Sequence, residues 1–357
     1  VRVLVLSWDA LAPSAWVAPQ AAGLAVALAA SGDDVRLVTR LGPDRRRPQL
    51  PGVEVHAVPD APPIVSPELR TAPIAALGFA SRAAAVAGRR LEERPVDAVH
   101  AEGWQTGPVA ASLSISHDVA IVAAVDLGDR EPGDNDDGPE AYARATGREL
   151  ARSASLVVYR SAPAATRTAV LAPRSSSATA VVVPGVDTAS RRPGPPPAAG
   201  PVWLVPPGRC GTAHRDFARA LRVAMDHRRA IAGTPTRRPF AAAVLDPHDL
   251  DAALTALALG VPLLAAAGPV GDLAVASGGG RLVAPTPAGV AAALATLRRD
   301  PAAAAALGRS GSSYVATSHT WSTAASSWRA AVAAVVASNR DRGQVVVDLD
   351  IRGAAAR

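Results

Sequence analysis

A rhythm of short apolar runs, each followed by an Ala/Leu-rich segment of helical length, repeats through both halves of the chain. The halves meet at the proline-rich stretch Arg191-Arg-Pro-Gly-Pro-Pro-Pro-Ala-Ala-Gly-Pro201. Alternation of strand and helix is the order of parallel sheets with right-handed crossovers. The 357 residues exceed the size at which single cores stop growing, roughly 250 to 300 residues. The rhythm therefore predicts a first domain over 1–190, a linker over 191–201, a smaller second domain over 202–338 and a tail over 339–357.

In the first half, strands are expected at 2–7, 35–39, 53–58, 96–100, 119–125, 156–159 and 180–183, with helices at 21–30, 73–94 and 140–153. The acidic, Gly-containing segment 126–139 is expected as a surface loop. In the second half, strands are expected at 202–205, 241–245, 261–265 and 281–283. Helices are expected at 213–232, 249–259, 287–298, 302–318 and 321–338. The run Gln344-Val-Val-Val-Asp-Leu-Asp-Ile351 reads either as an edge strand or as a disordered tail. This is an α/β protein of two Rossmann-like doubly wound domains, the C-terminal one reduced. Ligands of such sheets bind beyond the carboxyl ends of the strands.

Charge and composition narrow the partners. Net charge is +6, all 37 basic residues are Arg, and they are scattered apart from Arg45-Arg-Arg47. Without aromatic residues interleaved among them, these arginines read as a solvated surface and not as a nucleic-acid face. The absence of Lys excludes a Schiff base and a P-loop lysine. One cysteine, Cys210, leaves no intramolecular disulfide and no cysteine-built metal site, so a cytoplasmic location is expected. Residues 252–271 are uncharged and long enough for a bilayer core of about 30 Å, but Gly260-Val-Pro262 divides them into helix and strand, so no membrane span is expected.

The pieces Ser7-Trp-Asp9, Val96-Asp-Ala-Val-His-Ala-Glu-Gly-Trp-Gln-Thr106, Val183-Pro-Gly-Val-Asp187, Gly208-Arg209, Ala258-Leu-Gly-Val-Pro-Leu-Leu264, Gly278-Gly-Gly-Arg-Leu-Val-Ala-Pro285, Arg299-Asp-Pro301 and His319-Thr-Trp321 occur in that order. Together they resemble the retaining GT-B glycosyltransferases of the glycogen synthase type (family 4-like), over nearly the whole chain. The resemblance implies a nucleotide-diphosphate sugar held mainly by the C-terminal domain, a sugar or glycan acceptor on the N-terminal side, and no further cofactor. Such chemistry needs cations for the departing diphosphate and carboxylates near the reacting sugar.

The resemblance assigns Arg209 to the diphosphate, with His214 at the family's lysine position and Arg215 beside it. Arg215 supplies a charge that a neutral histidine lacks, though an exposed helix start is an equal reading of the pair. Thr255 falls at the position of the ribose-binding carboxylate. Asp246 lies one residue from the other acidic position, and Asp246, Asp249 and Asp251 also read as helix N-terminal residues favoured by the dipole. Glu102 stands where the family has a histidine and is the candidate for a sugar hydroxyl, its other reading being a solvated loop carboxylate. Trp16 occupies a glycine position of the family's phosphate loop, as an obstruction or as a packing residue.

Three functions follow. The first is hexosyl transfer from a nucleotide sugar, with Glu102 and Asp246 near the sugar and Arg209, His214, Arg215 and Thr255 holding the donor. The second is a catalytically degenerate relative that binds glycan or a partner protein, which the lost carboxylates, lysine and glycines favour. The third is a sugar-nucleotide epimerase using His100 and Glu102 as acid and base, although His100 on a buried strand also reads as a structural histidine.

Overall fold

The structure, a computed structural model, describes residues 1–8, 10, 20–41, 49–59, 72–125, 139–161, 165, 178–186, 202–204, 230–232, 242–244 and 250–354. The linker 191–201 and the loop 126–138 lie outside these residues, as do Trp16, Arg209, His214, Arg215 and Asp246. The chain divides into two units.

In the first unit, β-branched and leucine runs form β1 (Arg2–Ser7), β2 (Asp34–Arg40), β3 (Val53–Val58), β4 (Ala98–Glu102), β5 (Ala120–Ala124), β6 (Leu156–Tyr159) and β7 (Ala178–Val181). The interleaved helices are α1 (Gln20–Ala30), α2 (Ala72–Glu93), α3 (Gly107–His117) and α4 (Pro139–Ser153). All seven strands are parallel, in the order β3-β2-β1-β4-β5-β6-β7. The order reverses between β1 and β4, which opens a crevice at their carboxyl ends.

Alternation along the strands divides the core. Leu4, Leu6, Val99, Ala101, Ile121, Ala123, Val157 and Tyr159 pack under Phe79 and Leu91 of α2, Val109 and Leu113 of α3, and Leu150 of α4. Their neighbours Val3, Val5, Val35, Leu37, His100, Val122 and Leu156 are buried on the other face. Arg36 belongs to the first face and is 1% exposed. Its guanidinium donates to the carbonyls of Arg90 and Arg94, both at 2.6 Å, and so caps the end of α2 from below.

The second unit carries a five-stranded parallel sheet, β8 (Val202–Leu204), β9 (Ala230–Ala232), β10 (Ala242–Val244), β11 (Leu263–Ala265) and β12 (Gly280–Leu282), in the order β12-β11-β10-β8-β9. Its helices are α5 (Leu250–Ala258), α6 (Pro269–Ala276), α7 (Pro287–Arg299) and α8 (Pro301–Ser318). Thr286 and Asp300 cap α7 and α8 by accepting from the N–H groups of Gly289 and Ala303, and a proline occupies the first turn of each. Helix α8 crosses the end of α5 where Gly260 turns the chain at φ 70°. A Cβ on Gly308 would collide with the Gly260 carbonyl, so the crossing requires glycine there.

The last helix, α9, runs from Trp321 to Ala354. Three expectations change. Residues 344–351 are helical, neither edge strand nor disordered tail. Residues 230–232, expected at the end of a helix, form β9, so the second sheet has five strands and not about four. From Ala324 onward α9 belongs to the first unit, whereas the sequence places 324–338 in the second domain. The cause is visible in Trp328 and Val332, both fully buried, with Trp328 bonded to His100 of β4.

Candidate functional site

Ser7, Glu102 and Arg160 stand at the carboxyl edge of the first sheet. Ser7, the last residue of β1, lies level with Glu102, the last residue of β4, and Glu102 is level with Ala124 of β5. Glu102 thus stands at the point where strand order reverses, and it closes a strand where the sequence suggests a loop. Its neighbour Gly103 adopts φ 80°, which turns the backbone out of β4 into the short 3-10 turn Trp104–Thr106. Thr106 fastens that turn by donating to the Gly103 carbonyl at 2.8 Å.

Glu102 is not a solvated carboxylate. Its side chain is 16% exposed, and its Oε1 accepts from Arg160 Nη2 at 3.0 Å. Arg160 follows β6 directly, two strands away in the sheet. Pairing registers put His100, Glu102 and Arg160 on one side of the sheet, because each is an even step from a level partner.

His100 is 2% exposed, and its Nδ1 accepts from Trp328 Nε1 at 3.1 Å. The rings meet edge to face at 5.9 Å. Burial pushes the imidazole pKa down to about 4, and the Arg160 guanidinium adds to the depression. A neutral ring committed to an indole and shielded from solvent is a structural histidine, the ordinary reading of a histidine on a buried strand.

In the unfolded chain the ring protonates near 6.5, whereas the folded ring stays neutral until about 4. The unfolded state therefore binds more protons between these values. Stability is undiminished above the unfolded pKa and falls as pH drops through the window, by about 3 kcal/mol in all. Urea unfolding from about pH 7 to about pH 4 measures this slope. His100→Gln, which does not titrate, is expected to flatten it, and an equal slope in both proteins would contradict the assignment.

Aromatic residues frame the same edge, although aromatics are 3% of the chain. Trp8 meets Phe79 edge-on at 5.2 Å under the Arg40 guanidinium, 4.5 Å from the ring centre. Trp104 meets Tyr142 of α4 at 5.8 Å.

In the second unit, Thr255 lies within α5 at 2% exposure, in a helix whose residues Ala252–Ala258 are all buried. Asp246 and Arg209 follow β10 and β8 in sequence. Among the described residues no cluster of three or more His, Cys, Asp or Glu is placed to hold a metal ion. No described helix is long and apolar enough to cross a membrane.

Two groups escape sequence reasoning. Arg160 carries no local motif, and its partner lies 58 residues away. Trp328 sits in an Ala/Ser-rich helix, 228 residues from His100. Only the scarcity of tryptophan, six in the chain, marks it beforehand.

Residues 17–185 match the family model described as Glycosyl transferase 4-like domain. Among solved structures, the chain is similar to sucrose-phosphate synthase from Thermosynechococcus elongatus, with 16% identity, 98% of this chain and 99% of that chain covered, and a TM-score of 0.67. It is similar to Anabaena Alr3699/HepE in complex with UDP and glucose, with 14% identity, 93% and 99% covered, and a TM-score of 0.64. It is similar also to the calicheamicin glycosyltransferase CalG4, with 18% identity, 94% and 98% covered, and a TM-score of 0.51. No curated protein sequence matches the chain. The chain has a glycosyltransferase-like fold, the GT-B type with two Rossmann-like domains.

Proposed function

We propose that this protein transfers a hexosyl group from a nucleotide-diphosphate sugar to a sugar or glycan acceptor, with retention of configuration, as the glycogen synthase type does. The observation that carries the reading is Glu102, a half-buried carboxylate at the reversal point of the parallel sheet in the domain that matches the family model. A degenerate binding protein has no need of an ordered carboxylate at that edge, and an epimerase has no proton carrier in His100, which is engaged with Trp328.

In this reading the acceptor lies on the first unit, and Glu102 accepts a hydrogen bond from its attacking hydroxyl. The donor lies on the second unit. Arg209 and Arg215 neutralise the diphosphate as it departs, where fixed cations are worth most because charge develops there in the transition state. His214 donates one hydrogen bond to a phosphate oxygen, and Asp246 stands near the sugar. No group beyond these side chains and the donor itself is required.

Calorimetric titration with UDP-glucose, ADP-glucose and GDP-mannose tests the reading. Saturable binding to at least one is expected, weakened about tenfold or more in Arg209→Ala, since a hydrogen bond to a charged group contributes about 1.5–3 kcal/mol. Equal affinity in the variant would remove Arg209 from the site.

A further inference from the structure

The pairing of Arg160 with Glu102 lies outside every motif that the sequence resemblance brings forward. We propose that Arg160 is a positioning residue for the transfer reaction: delivered from the end of β6, it holds the Glu102 carboxylate in the orientation that receives the acceptor hydroxyl. The inference rests on the reading of Glu102 given above.

Geometry supports the role in three ways. The contact is a charge-assisted hydrogen bond of 3.0 Å, made by a guanidinium whose planar fork fixes a carboxylate's direction better than an ammonium does. The backbone that delivers Arg160 is anchored, because Tyr159 is 5% exposed and its carbonyl accepts from Val182 N at 2.9 Å. The neighbouring His100 is neutral and engaged with Trp328, so it brings no positive charge to Glu102 in competition with Arg160.

A purely structural role accounts poorly for the pair. Arg160 is 37% exposed, and ion pairs open to solvent on one side contribute little to folding. Holding a glutamate in one rotamer before substrate arrives is a different matter. An unrestrained glutamate loses side-chain freedom on ordering, and displacement of a reacting group by about 1 Å can cost roughly a hundredfold in rate.

The test compares wild type, Arg160→Met, Arg160→Lys, Glu102→Gln and the Glu102→Gln/Arg160→Met double variant. The readout is nucleoside-diphosphate release from UDP-glucose, ADP-glucose and GDP-mannose in the presence of mono- and disaccharide acceptors. Arg160→Met is expected to lower kcat about 10- to 100-fold, as loss of a charge-assisted hydrogen bond implies, with donor KM within about twofold and the urea midpoint unchanged. Arg160→Lys is expected to recover part of kcat, and the double variant to be no slower than Glu102→Gln. Wild-type kcat in Arg160→Met, or losses that multiply in the double variant, would overturn the proposal while leaving donor binding intact. A wild-type protein that neither binds nor turns over any of the three donors would instead overturn the transferase reading, and this proposal with it.

Discussion

Trp328→Ala is expected to lower the stability of the first unit by about 3–5 kcal/mol, the cost of emptying a large aromatic site in a packed core. Trp328 is fully buried and is the residue through which α9 reaches β4, by its hydrogen bond and edge-to-face contact with His100. The alanine variant removes the ring and also leaves the buried Nδ1 without its donor. Trp328→Phe narrows the comparison, since it keeps a buried aromatic ring but loses the N–H and the smaller part of the indole. It is expected to cost about 1–3 kcal/mol, the range for one unsatisfied buried acceptor. Urea denaturation followed by circular dichroism measures both, with the two units treated as separate transitions. A loss below about 1 kcal/mol for Trp328→Ala would mean that α9 contributes little to this core.

Arg36→Ala is the second large effect, again about 3–5 kcal/mol. The side chain makes two hydrogen bonds of 2.6 Å to the carbonyls of Arg90 and Arg94, each of the charged class that contributes about 1.5–3 kcal/mol. Truncation removes one donor from each carbonyl, of which that of Arg90 keeps the Arg94 N–H at 3.1 Å, and opens a cavity beneath the helix. Burial and the nearby Arg94 guanidinium lower the Arg36 pKa from its ordinary value, a cost the two carbonyls offset. Arg36→Met restores volume without donors and is expected to recover only part of the loss. The exposed Arg94, bridging Glu54 at 2.9 Å and Asp34 at 3.3 Å, serves as the contrast, because Arg94→Ala should cost no more than about 1 kcal/mol. Equal losses at positions 36 and 94 would contradict the capping role.

The architecture was legible because strand and helix periods differ and the apolar runs are long enough to show it. The elements that escaped have local causes. Helix α3 buries Gly107, Val109, Ala110 and Leu113 but leaves Ile115 88% exposed, so its apolar residues form no clean stripe. Helix α6 has eight residues, too few turns for a period to emerge. The segment Val345-Val-Val-Asp-Leu-Asp-Ile351 alternates like a strand yet continues α9. At the site, Glu102 was readable from its place after an apolar run. What holds it was not, because Arg160 reaches it across β5, a relation that only the sheet order creates.

Calorimetric titration of the protein with UDP-glucose, ADP-glucose and GDP-mannose tests the proposed transferase most directly. One-site, saturable binding of at least one donor is the expected result, with affinity that falls when Arg209 is replaced by alanine. Absence of heat and of saturation with all three at millimolar concentration would contradict it.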